Sequence, residues 1–142
     1  MKEIDLNLVN HFVLQKQHLT ERSKVDSITR IAKDIGGLHA TSPITPYLSL
    51  FARARNFKRE QLDDELYVKR NLGKIRYVRK TVYILPKEMI PVAFAAMKKI
   101  VEPVSRQFCK YLGVNENEYR ETSKKITGIL KGRGLTAKEI KK

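Results

Sequence analysis

Cysteine is nearly missing from this sequence: Cys109 stands alone among 142 residues. A single thiol forms no internal disulfide framework and offers no paired thiolate ligands for a metal, so redox stapling and cysteine-rich metal centres are excluded. That scarcity predicts a cytoplasmic setting, with Cys109 as a buried, inert thiol. Long apolar runs are missing too. None reaches the roughly 18 residues of a membrane span, and Met1-Lys2-Glu3-Ile4-Asp5 lacks the apolar stretch of a signal peptide. No membrane partner is expected. The third scarcity is acidic charge, 15 Asp and Glu against 29 Lys and Arg, for a formal net charge of +14. Such an excess repels itself in a compact chain and commonly reflects a polyanionic partner. The basic residues are clustered, which favours nucleic acid over a surface made basic for solubility alone.

What is present is an ordinary core: 42% of the residues are hydrophobic, enough for one domain or one domain plus part of another. Leu6, Val9, Phe12, Val13 and Leu19 are spaced so that most fall on one side of a helix capped by Asp5. His11 and His18 flank that side and read as solvent-facing or half-buried structural histidines, because no second ligand type lies at a metal-binding offset. No metal or cofactor is implied. After a break at Thr20-Glu21-Arg22, Ser23 and Asp26 make a start resembling a capping box. Val25, Ile28, Ile31, Ala32 and Ile35 then form an apolar stripe that Gly36 and Gly37 terminate.

The chain is organised around the stretch from Gly36 to Arg55, which opens Gly36-Gly37-Leu38-His39-Ala40-Thr41-Ser42-Pro43-Ile44-Thr45-Pro46. A polar loop with a histidine and three hydroxyls joins two helices, the second opening with Thr45 as N-cap and Pro46 at the first helical position. Loops held between helices present functional groups outward, which makes His39 and Thr41 the candidates for chemistry. Tyr47, Leu48, Phe51 and Ala54 are the expected buried face of the new helix, with Arg53 and Arg55 on other sides. A fourth helix is predicted from about Arg59 to Leu72. Its acidic residues come early and Lys69 and Arg70 come late, matching the helix dipole, and Gly73 is expected to end it.

From Lys74 the period changes. Ile75, Tyr77, Val78, Val82, Tyr83, Ile84 and Leu85 predict a β-hairpin with its tip at Arg79-Lys80, although neither residue favours the positive φ of a tight turn. Lys69, Arg70, Lys74, Arg76, Arg79 and Lys80 are six basic residues without an acidic one between them, and Tyr77 and Tyr83 are interleaved. Such a hairpin either protects an edge strand by charge or tracks phosphates. Met89 to Leu112 reads as a helix with Phe94, Met97 and Phe108 in the core, bent or split at Pro103 and closed by Gly113. A further amphipathic helix carries Tyr119, Ile126 and Leu130. Thr136-Ala137-Lys138-Glu139 is a capping box only a few residues from the last residue, which reads as an N-terminal piece of a longer polypeptide, cut as a second helix-turn-helix begins.

Three helices followed by a basic hairpin give a mainly α fold with a small β-hairpin, the element order of a winged helix-turn-helix. The expected division is a winged-helix domain over 1–100, then a helical connector and the truncated start of a second winged helix over 101–142. Gly36 to Thr41, Pro46 to Arg53 and Arg79 to Pro86 together resemble the winged-helix DNA-binding family that contains the AlkZ and YcaQ bacterial DNA glycosylases. The resemblance spans roughly residues 23–100. It implies tandem winged helices around a DNA channel and hydrolysis of the glycosidic bond of alkylated bases or crosslinks, with double-stranded DNA as partner and no cofactor.

By that resemblance His39 and Thr41 stand where the active glycosylases carry Gln-x-Gln or Gln-x-Asp, the pair that positions the attacking water. Lys80 and Tyr83 replace a glycine and a histidine of the family hairpin, while Arg79 and Thr81 are kept. The DNA-contacting set is then Arg53, Arg55, Lys69, Arg70, Lys74, Arg76, Arg79, Lys80 and Tyr83. Two other classes fit the composition: a winged-helix transcription regulator without enzymatic activity, which would read a palindrome as a dimer, and an interaction domain with no nucleic-acid role.

Overall fold

The computed structural model describes residues 5–141. The chain forms two compact units, Met1–Lys99 and Ile100–Lys142. The first is a helical layer on a small antiparallel sheet. Helix α1 (Leu6–Lys16) starts where Asp5 accepts the Asn7 amide hydrogen, as its sequence predicts, yet it buries none of its residues. A tight 3-10 turn (Glu21–Ser23) leads to α2 (Ile28–Asp34). The cap of α2 is Ser27 and not Ser23. The Ser23 hydroxyl is used inside the preceding turn, bonded to Thr20, and Ser27 Oγ takes the Arg30 amide instead.

His18 is also not where its sequence suggests, since it is buried. It sits at φ 56 with Nδ1 2.6 Å from the Ser23 carbonyl and Nε2 2.9 Å from Asp34 Oδ2. A carbonyl and a carboxylate both accept, so each ring nitrogen of His18 faces an acceptor. This imidazole ties the turn after α1 to the end of α2.

The apolar stripe of α2 forms the core as expected, with Ile28, Ile31 and Ala32 buried and Val25 and Ile35 packed at its edge. Gly36 and Gly37 adopt φ 75 and 112 and close the helix through Gly37 N–H to the Ala32 carbonyl. The next two residues are then free to extend, and they form a strand the sequence pattern does not reveal. Strand β1 (Leu38–His39) joins β2 (Leu72–Arg76) and β3 (Val82–Pro86) in a three-stranded antiparallel sheet of order β1-β3-β2. Directly opposed residues share a face. Leu38, Ile84 and Lys74 therefore lie on the side toward the helices, and His39, Tyr83 and Ile75 on the other.

Helix α3 (Thr45–Arg53) begins with Ile44 in the cap position. The Thr45 hydroxyl makes no capping bond. Its buried stripe is Pro46, Leu50 and Ala54, four residues apart, while Leu48 and Phe51 are 58% and 72% exposed. Helix α4 (Arg59–Asp63) widens into a π-helical turn (Asp64–Val68) and does not reach Leu72. Arg70, at φ 56, makes the reversal expected of Gly73. Gly73 lies inside β2 for a packing reason: a β-carbon there would stand 2.6 Å from Ile90 Cδ1.

Helix α5 (Ile90–Tyr111) runs unbroken through Pro103 and buries only Ala93. Phe94 and Phe108 are exposed and not core, and Cys109 is half-buried. Gly113, at φ 72, ends it. In the second unit α6 (Glu116–Ile129) is opened by a reciprocal Asn115–Glu118 cap, and α7 (Ala137–Ile140) by the Thr136–Glu139 box. The Glu139 carboxyl accepts the Thr136 hydroxyl and amide, which hold it below the usual carboxylate range. Among the described residues no helix is long and apolar enough to cross a membrane.

Candidate nucleic-acid interface

His39 is fixed by the sheet. Its strand partner is Tyr83, and the two rings meet edge to face with centroids 5.3 Å apart. Tyr77 meets Tyr83 in the same way at 5.7 Å. Thr41 lies just beyond the strand, where the Ala40 amide donates to the Val82 carbonyl at 2.8 Å and the Val82 amide donates to Thr41 Oγ1 at 3.4 Å. The same hydroxyl is 3.2 Å from His39 Nε2. Both candidate side chains are exposed, and they are bonded to each other. With Nε2 engaged by Thr41, Nδ1 is the ring nitrogen left to meet a ligand. Tyr77 is not among the sequence candidates; its place in the aromatic row follows from the register of the strands, which composition does not encode.

The hairpin tip bears out the sequence. Arg79 and Lys80 hold φ 54 and 61, a left-handed conformation that costs a side-chain-bearing residue about 1–2 kcal/mol. Thr81 braces the turn by donating its hydroxyl to the Val78 carbonyl at 2.8 Å. Arg70, Lys74, Arg76, Arg79 and Lys80 are exposed, and no acidic side chain pairs with them among the described residues. The other three basic candidates are engaged elsewhere. Arg53 turns back on its own helix, where Nη1 donates to Ser49 O and Oγ at 3.1 Å each. Its Nε is buried without a partner among the described residues, and burial lowers the guanidinium below its ordinary range. Arg55 Nε donates to the Lys24 carbonyl at 3.0 Å beside the Val25–Ala54 bridge. Lys69 contacts Asp64 at 2.6 Å and Glu65 at 3.1 Å, which raise its ammonium above the ordinary value.

The cations of β2 alternate with its core. Lys74 and Arg76 share the sheet face of Ile84, so they lie on the side opposite His39. There Lys74 stands over the Tyr67 ring, 5.5 Å from its centroid, and donates to the Tyr67 hydroxyl at 2.9 Å. Among the described residues no cluster of His, Cys, Asp and Glu is arranged to hold a metal.

A family model described as DNA glycosylase AlkZ-like matches residues 32–142, from the end of α2 through the sheet and the three later helices α5, α6 and α7. The chain belongs to the AlkZ-like DNA glycosylase family. In fold it is similar to the Streptomyces sahachiroi DNA glycosylase AlkZ, with a TM-score of 0.77 at 21% identity, covering 98% of this chain and 37% of that one. The chain thus spans little more than a third of that structure's length. No curated protein matches it. The family match takes in His39, Thr41 and the whole basic hairpin.

Proposed function

We propose that this chain is the DNA-contacting part of an AlkZ-like repair glycosylase of the cytoplasm. Residues 1–100 are a winged-helix domain whose hairpin is the wing, and residues 101–142 are a connector leading into a second winged helix. Arg70, Lys74, Arg76, Arg79 and Lys80 contact phosphates of double-stranded DNA. The observation that carries this reading is the hairpin itself: its tip holds two exposed cations in a strained conformation, and its β3 strand is hydrogen-bonded to the strand bearing His39. Backbone contact and candidate chemistry are thereby joined in one sheet.

Glycosidic hydrolysis needs a positioned water and a group to take its proton. His39 is the residue that touches DNA or water, through Nδ1, and Thr41 positions it by holding Nε2. The two do not reach for one water as independent arms, so base excision by the whole protein is slow. His39→Gln preserves or raises excision of alkylated purines from duplex DNA, and His39→Ala abolishes it. Excision that survives both His39→Ala and Thr41→Ala places the active site elsewhere.

The regulator reading is weaker on one specific observation. A major-groove reading helix needs polar side chains toward base edges, whereas the exposed side of α3 carries Leu48, Phe51 and Ala52, and Arg53 is turned inward. Equal affinity for random and palindromic duplexes is expected; a strong preference for a palindrome would restore the regulator.

A further inference from the structure

Between α3, α4 and the hairpin lies an open groove of about 700 Å³. Its walls are aromatic and aliphatic: Tyr47, Leu48, Phe51, Phe57 and Tyr67 line it, with Ala40 and Ile84 at its base. Two cations stand at its rim, each over a tyrosine. Lys74 covers Tyr67, and Arg59 lies 5.6 Å from the Tyr47 centroid. Arg59 is partly countered by Asp63 at 3.8 Å, which also accepts the Tyr47 hydroxyl at 2.6 Å. Lys74 has no acidic partner among the described residues. The groove opens on the sheet face that carries Lys74 and Arg76, opposite the face of His39.

We infer that this groove is a site for one unstacked nucleotide, its base against Phe51 and Tyr67 and its phosphate on Lys74. The inference rests on the DNA-binding reading above and adds to it. A strand tracked by Arg76 and Lys74 passes beside the groove mouth, so a base leaving the stack enters an aromatic cleft and keeps its phosphate on the cation row. Ring faces accept any base, and the volume lies within the range of about 300–1,000 Å³ typical of small-ligand pockets. Phe51 is 72% exposed, which leaves its ring available for stacking, and Tyr67, 61% exposed, carries Lys74 over one face of its ring. The site is separate from His39, because adjacent strand residues face opposite ways.

The test uses the 142-residue chain and two labelled hairpin duplexes, one fully paired and one with a single unpaired thymidine, compared by fluorescence anisotropy at one salt concentration. The wild type binds the bulged duplex about fivefold or more tightly than the paired one, the scale of one base–aromatic stack. Phe51→Ala removes that preference and leaves paired-duplex affinity unchanged, and Phe51→Leu removes most of it. Phe51 is exposed, so these variants are expected to keep the wild-type circular dichroism. Equal binding of both duplexes by the wild type overturns the groove assignment while leaving DNA binding in place. Binding of neither overturns both. A preference that survives Phe51→Ala, or a wild-type dimer that Phe51→Ala converts to monomer, shows that the groove serves another purpose.

Discussion

Replacing Gly37 by alanine should damage the fold at the point that sets His39. Two costs act there. Gly37 holds φ +112, outside the region side-chain-bearing residues adopt, and such backbone conformations cost of order 1–3 kcal/mol. A β-carbon at this position would also stand 2.4 Å from Leu85 Cδ2, 3.2 Å from Tyr83 Cδ1 and 3.3 Å from the Ile84 carbonyl oxygen. Leu85 is fully buried and has little room to move, so relief of that overlap adds roughly 1–3 kcal/mol, the usual penalty of overpacking. The total is about 2–6 kcal/mol, a large part of the roughly 5–15 kcal/mol that holds a typical domain folded. Gly36 is the internal control, since its φ of +75 is left-handed but nothing lies within 4 Å of the added carbon. Gly36→Ala should cost only about 1–2 kcal/mol. Urea denaturation followed by circular dichroism measures both. A loss for Gly37→Ala no larger than that for Gly36→Ala would refute the claim that β1 is pressed against β3 at this glycine.

Two further substitutions separate structural from binding roles. His18→Ala removes a buried imidazole that bonds both the Ser23 carbonyl and Asp34, and leaves the exposed Asp34 with Arg30 at 3.5 Å; a loss of about 1–3 kcal/mol in the same denaturation assay is expected, with DNA affinity unchanged. Lys80→Gly relieves a left-handed lysine at φ 61 and should stabilise the fold by about 1 kcal/mol, while the salt slope of DNA binding falls by about 0.9 because one phosphate fewer is neutralised.

Several elements can be read from residues alone because their signal is local. The α2 stripe, the glycine pair that closes it, the Asp5 cap, the hairpin with its tip at Arg79-Lys80 and the Thr136–Glu139 box all depend on neighbours a few residues away. The elements that sequence hides depend on distant partners. Strand β1 is two residues long and has no period of its own; it exists because β3 offers it an edge. For α3 the pattern is right for Ala54, which is buried, and for Tyr47, which packs on the core, but Leu48 and Phe51 lie exposed along the groove while Pro46 and Leu50 take the buried positions. Gly73 resembles a helix stop and is instead a close approach to Ile90, while Arg70 makes the reversal. His39 and Thr41 are legible as candidates, but their bond to each other needs the strand pairing that brings Val82 under Thr41. The same holds for charge. Sequence does not reveal that Arg53 turns back to Ser49, that Arg55 reaches the Lys24 carbonyl or that Lys69 contacts Asp64 and Glu65, because those partners are set by the fold.

The central claim is that the hairpin cations meet DNA phosphates, and the salt dependence of duplex binding tests it most directly. Log affinity should fall linearly with log salt, with a slope of about −0.9 for each phosphate neutralised. Arg76→Ala, Arg79→Ala and Lys80→Ala together should flatten that slope by about 2.7 while sequence preference barely changes. A triple variant whose slope equals that of the wild type would contradict the account and move the DNA-binding face away from the hairpin.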